Sequence, residues 1–223
     1  MNDLNQVEIS TSNTWEQKED DELRIDIEAM IQEAKEDPLS QTCCIYKVPR
    51  STREKNENIY TPTTISIGPF HYGDPRLRDM ERYKVIMLKR FIQRFMTTLS
   101  LDNLISFVMS LETKVRASYS EDAFLTKKEF QKQMLLDGAF IIELFLSVYH
   151  LSDDNTQNMD AILRQPKLLS DVTKDLLLLE NQLPLFFLEG LYRQAFPADH
   201  VGNPSFADLS YKFFDSFNSQ RNA

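Results

Sequence analysis

The sequence predicts a mainly α-helical, bundle-like fold with a small extended element near the N-terminus. From Arg78 onward, apolar residues recur at three- and four-residue steps. Two long apolar stretches, 134–151 and 175–192, are the obvious core material, and β-favouring runs are confined to residues 43–67. An apolar fraction of 42% with 11% aromatic residues suffices to bury a core in 223 residues and argues against wholesale disorder.

Three segments follow: an acidic, partly disordered arm over 1–40 with one short helix, a single helical domain over 41–217, and a tail over 218–223. In the arm, a helix is expected from about Asp21 to Lys35, with Leu23, Ile27, Met30 and Ile31 on one face and Pro38 beyond its end. Two β-favouring runs follow, 43–48 and 63–67, among chain punctuators such as Pro49, Pro62, Gly68-Pro69 and Gly73. They read as two short extended segments joined by a loop.

The helical period then begins. Met80, Tyr83, Met87, Leu88, Phe91, Phe95 and Leu99 share a face opposite Arg82, Lys89, Arg90 and Arg94. A second helix uses Leu101, Leu104, Ile105, Val108, Leu111 and Val115. Thr126 with Glu129 forms a capping box, which satisfies free N–H groups at a helix start. The helix it opens, 127 to about 150, is apolar nearly all round and should be central. Helical signal resumes over 170–182, and Pro184 then imposes a kink or a new start. A last amphipathic segment carries Phe206, Leu209, Phe213 and Phe217.

Charge excludes one function class. The net charge is −9, against the basic excess that general nucleic-acid binding requires. Residues 1–40 hold 12 acids and three bases, whereas residues 41–223 hold 22 of each sign. The run from Arg76 to Arg94 has seven bases against Asp79 and Glu81. The two patches read first as solvated faces, since exposed pairs are weak; the alternatives are an arm folded onto the basic helix, or two faces awaiting partners.

Cys43 and Cys44 are adjacent, a poor geometry for a mutual disulfide, and no glycosylation acceptor or signal-peptide core is legible. These features point to a reducing compartment, with the chain cytoplasmic or peripheral to a membrane. The stretch 134–151 contains Asp137 and Glu143, each costly at a bilayer centre by roughly 2.5–3.5 kcal/mol, so no transmembrane segment is expected.

Four segments in order resemble the plant family of the domain of unknown function 247. They are Cys43-Cys44-Ile45-Tyr46-Lys47-Val48-Pro49; Tyr60-Thr61-Pro62 running into Ser66-Ile67-Gly68-Pro69-Phe70-His71-Tyr72-Gly73; Met134-Leu135-Leu136-Asp137-Gly138-Ala139-Phe140-Ile141-Ile142-Glu143-Leu144-Phe145; and Asp175 through Leu179 into Glu180-Asn181-Gln182-Leu183-Pro184. The resemblance covers roughly residues 40–217. Tyr72 stands where family members often have a second histidine, and Lys167 where a tryptophan is common. Family members usually continue for a couple of hundred residues and end in a transmembrane helix, so this chain resembles a front portion. The resemblance implies a plant protein with no established catalytic residues, and some grass relatives are implicated as pollen-side determinants of self-incompatibility.

No cofactor is expected, because neither a P-loop nor a dinucleotide-binding glycine pattern exists among five glycines. No metal is expected either: Cys43-Cys44 lacks zinc-knuckle spacing, and only a convergence of Cys43, Cys44 and His71 would change that. Glu143, Ser147 and His150 share a helix face but lack the strained elbow and free amides of a nucleophilic site, so they read as a thin polar stripe. Lys84 falls on the apolar side of its helix and Asp137 within the most buried one. Each needs a partner, and the expectation is a buried pair of Lys84 with Asp137, Glu143 or Glu180, or else a Lys84 that snorkels to water. Glu180, Asn181 and Gln182 read as satisfying carbonyls freed by Pro184 rather than as lining a pocket.

The reading is therefore a non-enzymatic protein–protein recognition or signalling module. Its candidate buried polar network is Lys84, Asp137, Glu143, Glu180, Asn181 and Gln182. Its candidate interface is Arg82, Lys89, Arg90, Arg94, Phe213 and Phe217, facing a protein partner. The alternative is a hydrolase-like enzyme with a site near Glu180 or in the family's C-terminal half; a cleft where Glu180 and His71 converge would favour it.

Overall fold

The computed structural model describes residues 18, 20–32, 41–95, 99–121, 125–150, 162–196 and 203–221. It is mainly helical, and the only β pairing among the described residues is a single bridge. The chain divides into two compact units, 1–40 and 41–223. In the first, α1 (residues 20–32) is exposed on every face and carries an Arg24–Glu28 pair at 3.1 Å. The expected continuation to Lys35 and most of the polar segment before residue 20 lie outside the described residues.

The second unit is built around α5 (Lys127–Tyr149), which buries all but a few of its side chains beyond the first turn. Its start is fixed by the Thr126–Glu129 capping box: each side chain takes the other residue's backbone N–H. Against α5 pack α3 (Arg78–Arg94), through Met80, Lys84, Met87 and Phe91, and α4 (Leu101–Arg116), through Leu104, Val108 and Val115. The helix α7 (Leu185–Ala195) comes in close over Gly138. A Cβ there would lie 2.6 Å from a Leu191 methyl and 3.1 Å from the Phe187 ring, so the glycine sets the approach. On the remaining side α8 (Phe206–Arg221) stacks Phe213 on Phe145 with centroids 4.5 Å apart.

One expectation changes. The helix expected over 170–182 is instead α6 (Pro166–Asp175), followed by a non-helical passage to Pro184. Gln182 explains the break: its Nε2 donates to the carbonyls of Leu176 (2.7 Å) and Leu178 (2.9 Å), so they need no helical amide. Leu177 and Leu179 consequently point outward, at 57% and 66% exposure. The two extended runs, for their part, lie along different partners. Ile45 makes its bridge to Tyr119, beyond which the chain turns through the short helix α2 (Arg50–Arg53) and a 3₁₀ turn (Glu57–Ile59). The run 63–67 has side chains, not a strand, on its amides.

Candidate functional site

A strand without a neighbour exposes one amide per residue that must be satisfied. Here buried acids and amides from α5, the end of α6 and the non-helical passage after it supply the acceptors. Asp175, at the C-terminal end of α6, accepts from the N–H groups of Thr63 (3.1 Å), Thr64 (2.6 Å) and Ile65 (2.9 Å). Asn181 acts as a surrogate strand residue: its Oδ1 accepts from Ile67 N–H at 2.6 Å, and its Nδ2 donates to the Ile65 carbonyl at 3.0 Å. Asp137 of α5 takes the next amide, Gly68, at 2.8 Å. Gly68 has φ +71°, and a Cβ would lie 2.5 Å from the Gln182 carbonyl oxygen. Only glycine fits there.

Asp137 also anchors a charged group. Its other oxygen lies 2.7 Å from Lys84 Nζ, which in turn is 2.5 Å from Glu81. Lys84 and Asp137 have no exposed side-chain surface. Burial pushes the Asp137 carboxyl up to about 6 despite the opposing pull of Lys84. Burial works against the Lys84 ammonium too, but Asp137 and Glu81 outweigh it and raise its pKa.

Glu180 forms the third anchor. It accepts the Val48 N–H and pairs with the Arg53 guanidinium, and its second oxygen lies 3.2 Å from His71 Nε2. Glu180 and His71 thus converge, with side-chain exposures of 0% and 11%. Burial lowers the His71 pKa, with Glu180 opposing and Arg53 assisting. Beside it opens a polar cavity of about 160 Å³ lined by Ser66, His71, Gly73, Asp74, Arg78 and Glu81. A second, more apolar cavity of about 190 Å³ lies beside Asn181 and Gln182, with Ile67, Phe145, Leu188 and Phe206 on its walls.

The remaining predicted residues separate. Glu143 is held by Arg94 through two bonds (2.6 and 3.0 Å), not by Lys84, and that pairing turns its carboxylate toward α3 rather than toward Ser147 and His150. Arg82 and Lys89 are exposed on the outer face of α3, and Arg90 is half-buried. Phe213 and Phe217, taken as interface residues, are turned into the core at 2% and 8% exposure, because the apolar stripe of α8 packs on α5. Asp175 and Arg53 are anchors that the sequence reading does not name, whereas the convergence of His71 with Glu180 is one it weighs. The available signal was the orphan run 63–67, whose amides demanded acceptors. Among the described residues no group of three or more His, Cys, Asp or Glu is placed to hold a metal ion, and no helix is long and apolar enough to cross a membrane.

Comparison with known proteins matches residues 45–223 to the family model DUF247, described as plant protein of unknown function. UPF0481 protein At3g47200 of Arabidopsis thaliana is 39% identical over 153 residues, which is 68% of this chain and 31% of that protein. Putative UPF0481 protein At3g02645 of the same plant is 31% identical over 147 residues, 66% of this chain and 26% of its own length. The aligned part of this chain thus spans about a third or less of the curated relatives it matches. No solved structure matches it.

Proposed function

Because the chain belongs to the DUF247 family of plant proteins of unknown function, we propose that it acts as a non-enzymatic protein–protein recognition module in signalling, cytoplasmic or peripheral to a membrane. Pollen–stigma recognition is one setting for it, by its resemblance to the grass relatives. The observation that carries this reading is where the buried polar groups are used. Asp137, Asp175, Glu180 and Asn181 are each bonded to backbone amides of 48–68. The recognition surface we assign is the outer face of α3, where exposed Val85 and Ile86 lie between Arg82 and Lys89. Apolar side chains flanked by bases fit a partner surface that is apolar with an acidic rim.

A second reading is favoured by the His71–Glu180 contact, a histidine–carboxylate pair close to a serine, Ser66, on the wall of the same cavity as His71. It would make the chain a hydrolase. Against it, the amides that follow Ser66 are already committed, Ile67 N–H to Asn181 and Gly68 N–H to Asp137. Neither is left to stabilise an oxyanion.

The two readings separate in one experiment. The purified chain and its Arg82→Glu/Lys89→Glu and Ile86→Asp variants are used to capture partners from pollen and vegetative extracts, and each captured protein is re-tested pure by calorimetry. Recognition predicts a partner bound by the wild type and lost by both surface variants at unchanged melting temperature. Binding indifferent to both variants overturns the α3 assignment. Ester or amide hydrolysis abolished by His71→Ala with the fold intact overturns the non-enzymatic reading.

A further inference from the structure

The polar cavity beside His71 has a feature its structural neighbours do not explain. Ser66 Oγ is buried, on a residue 2% exposed, and makes no hydrogen bond among the described residues. A buried hydroxyl without a partner costs about 1–3 kcal/mol, so a serine kept on a cavity wall points to something that occupies the cavity. Neighbouring Ile65 and Ile67 are fully buried and apolar, so packing alone would be met by an apolar side chain at 66.

The charges around the cavity define the occupant. Asp74 is neutralised locally, with both carboxylate oxygens bonded to the Arg76 side chain. Arg78, one turn before Glu81 on α3, lines the cavity at its exposed side and makes no side-chain ion pair among the described residues. Arg78 also sits at the start of α3, where the helix dipole offers a cation nothing. Glu81, with 37% of its side chain exposed, shares Lys84 with Asp137, so two carboxylates face one ammonium. The lining therefore presents one unpaired guanidinium and, a helical turn away, a carboxylate in a cluster with one surplus negative charge.

We propose that this cavity binds a small zwitterion of the α-amino acid class. Its carboxylate meets Arg78, its ammonium meets Glu81, and Ser66 Oγ bonds the part that reaches inward. The geometry matches in size: cavities of about 150 Å³ hold a molecule of about six nonhydrogen atoms. The two charged groups of an α-amino acid are one carbon apart, as suits two receptors at i and i+3 on one helix. His71, its Nε2 turned to Glu180, completes the wall. Arg82 stands one helical turn from Arg78, but the readout here is amino-acid binding and not partner capture, so the proposal stands or falls independently of the recognition reading.

Calorimetric titration of the full chain with glycine, alanine, serine, valine and leucine tests it. At least one is expected to bind saturably below about 10 mM, and its N-acetyl and amide forms, each lacking one charge, about tenfold more weakly. Arg78→Gln and Ser66→Ala are each expected to weaken binding about tenfold, while Lys89→Gln, on the same helix but away from the cavity, leaves it unchanged. Should Ser66→Ala fail to fold, the exposed Arg78→Gln variant decides alone. The proposal is overturned if none of the five amino acids binds, if the blocked forms bind as well as the free one, or if Lys89→Gln weakens binding as much as Arg78→Gln.

Discussion

Asp137 Oδ1 lies 2.7 Å from Lys84 Nζ, with both side chains fully withdrawn from solvent. The pair joins α3 to α5 at the point where Asp137 also receives the Gly68 amide. Lys84→Met strips the cation from a buried carboxylate and is expected to cost about 3–5 kcal/mol, since the charge left behind has no compensation. In the double variant Lys84→Met/Asp137→Asn the loss should be smaller than for Lys84→Met alone. Urea unfolding of wild type, both single variants and the double closes the cycle, and a coupling near zero would refute the pairing as a unit.

The same carboxyl sets a pH dependence. Asp137 is pushed up to about 6 by burial, so the folded state takes a proton before the unfolded chain does. Its contribution to stability is fully present below the unfolded value near 4 and is lost as pH rises through about 6. His71 acts in the opposite sense: burial lowers its pKa, so the unfolded chain protonates first and stability falls as pH drops through about 6.5. Between pH 4 and 7, Asp137→Asn should therefore steepen the loss of stability on acidification, and His71→Gln should flatten it. Chemical denaturation at several pH values reads both slopes, and identical slopes for the two variants would contradict the assignment.

These groups were unequally legible beforehand. α5 announced itself because a helix apolar all round has nowhere to go but the centre, and because Thr126 and Glu129, three positions apart, mark its start. Lys84 and Asp137 stood out for the converse reason, as charges in positions that water cannot reach. The end of α6 was hidden: the run Leu176–Leu179 has every local preference of a helix, and side chains bonding back break it, Asn181 to the Asp175 carbonyl and Gln182 to those of Leu176 and Leu178. Arg53 was illegible as an anchor because its partner, Glu180, is more than a hundred residues away in the chain, and for the same reason the His71–Glu180 contact was legible only as one possibility. The two phenylalanines of α8 failed for a simpler reason. An amphipathic stripe says that one face will be covered, not by what.

Gly68 and Gly73 make a controlled comparison. Both have positive φ, +71° and +80°, yet a Cβ at Gly73 meets nothing within 4 Å whereas one at Gly68 meets the Gln182 carbonyl at 2.5 Å. Gly73→Ala should lose only the left-handed backbone preference, about 1–2 kcal/mol. Gly68→Ala should lose that and also force residues 68 and 182 apart, breaking the Tyr119 hydroxyl bond to the same carbonyl. A melting-temperature drop at Gly68 no larger than at Gly73 would show that the close approach is not needed.

Asp175 carries the most exposed consequence of a fold that uses side chains in place of a strand. Three consecutive amides, Thr63 to Ile65, depend on one carboxylate. Burial raises its pKa in spite of those three donors, so the charge is held at a cost that only the amides justify. Asp175→Ala removes all three acceptors at once, and at about 1–3 kcal/mol per stranded buried group the segment should detach locally rather than stay bound with its amides unpaired. α5 and its packed helices do not depend on that contact and should persist. The expected result is fast hydrogen exchange and proteolytic cleavage confined to residues 61–67, with helical circular dichroism near that of the wild type. Protection of the Thr64 and Ile65 amides equal to wild type in Asp175→Ala would mean that other acceptors hold the run, and that the carboxylate is dispensable.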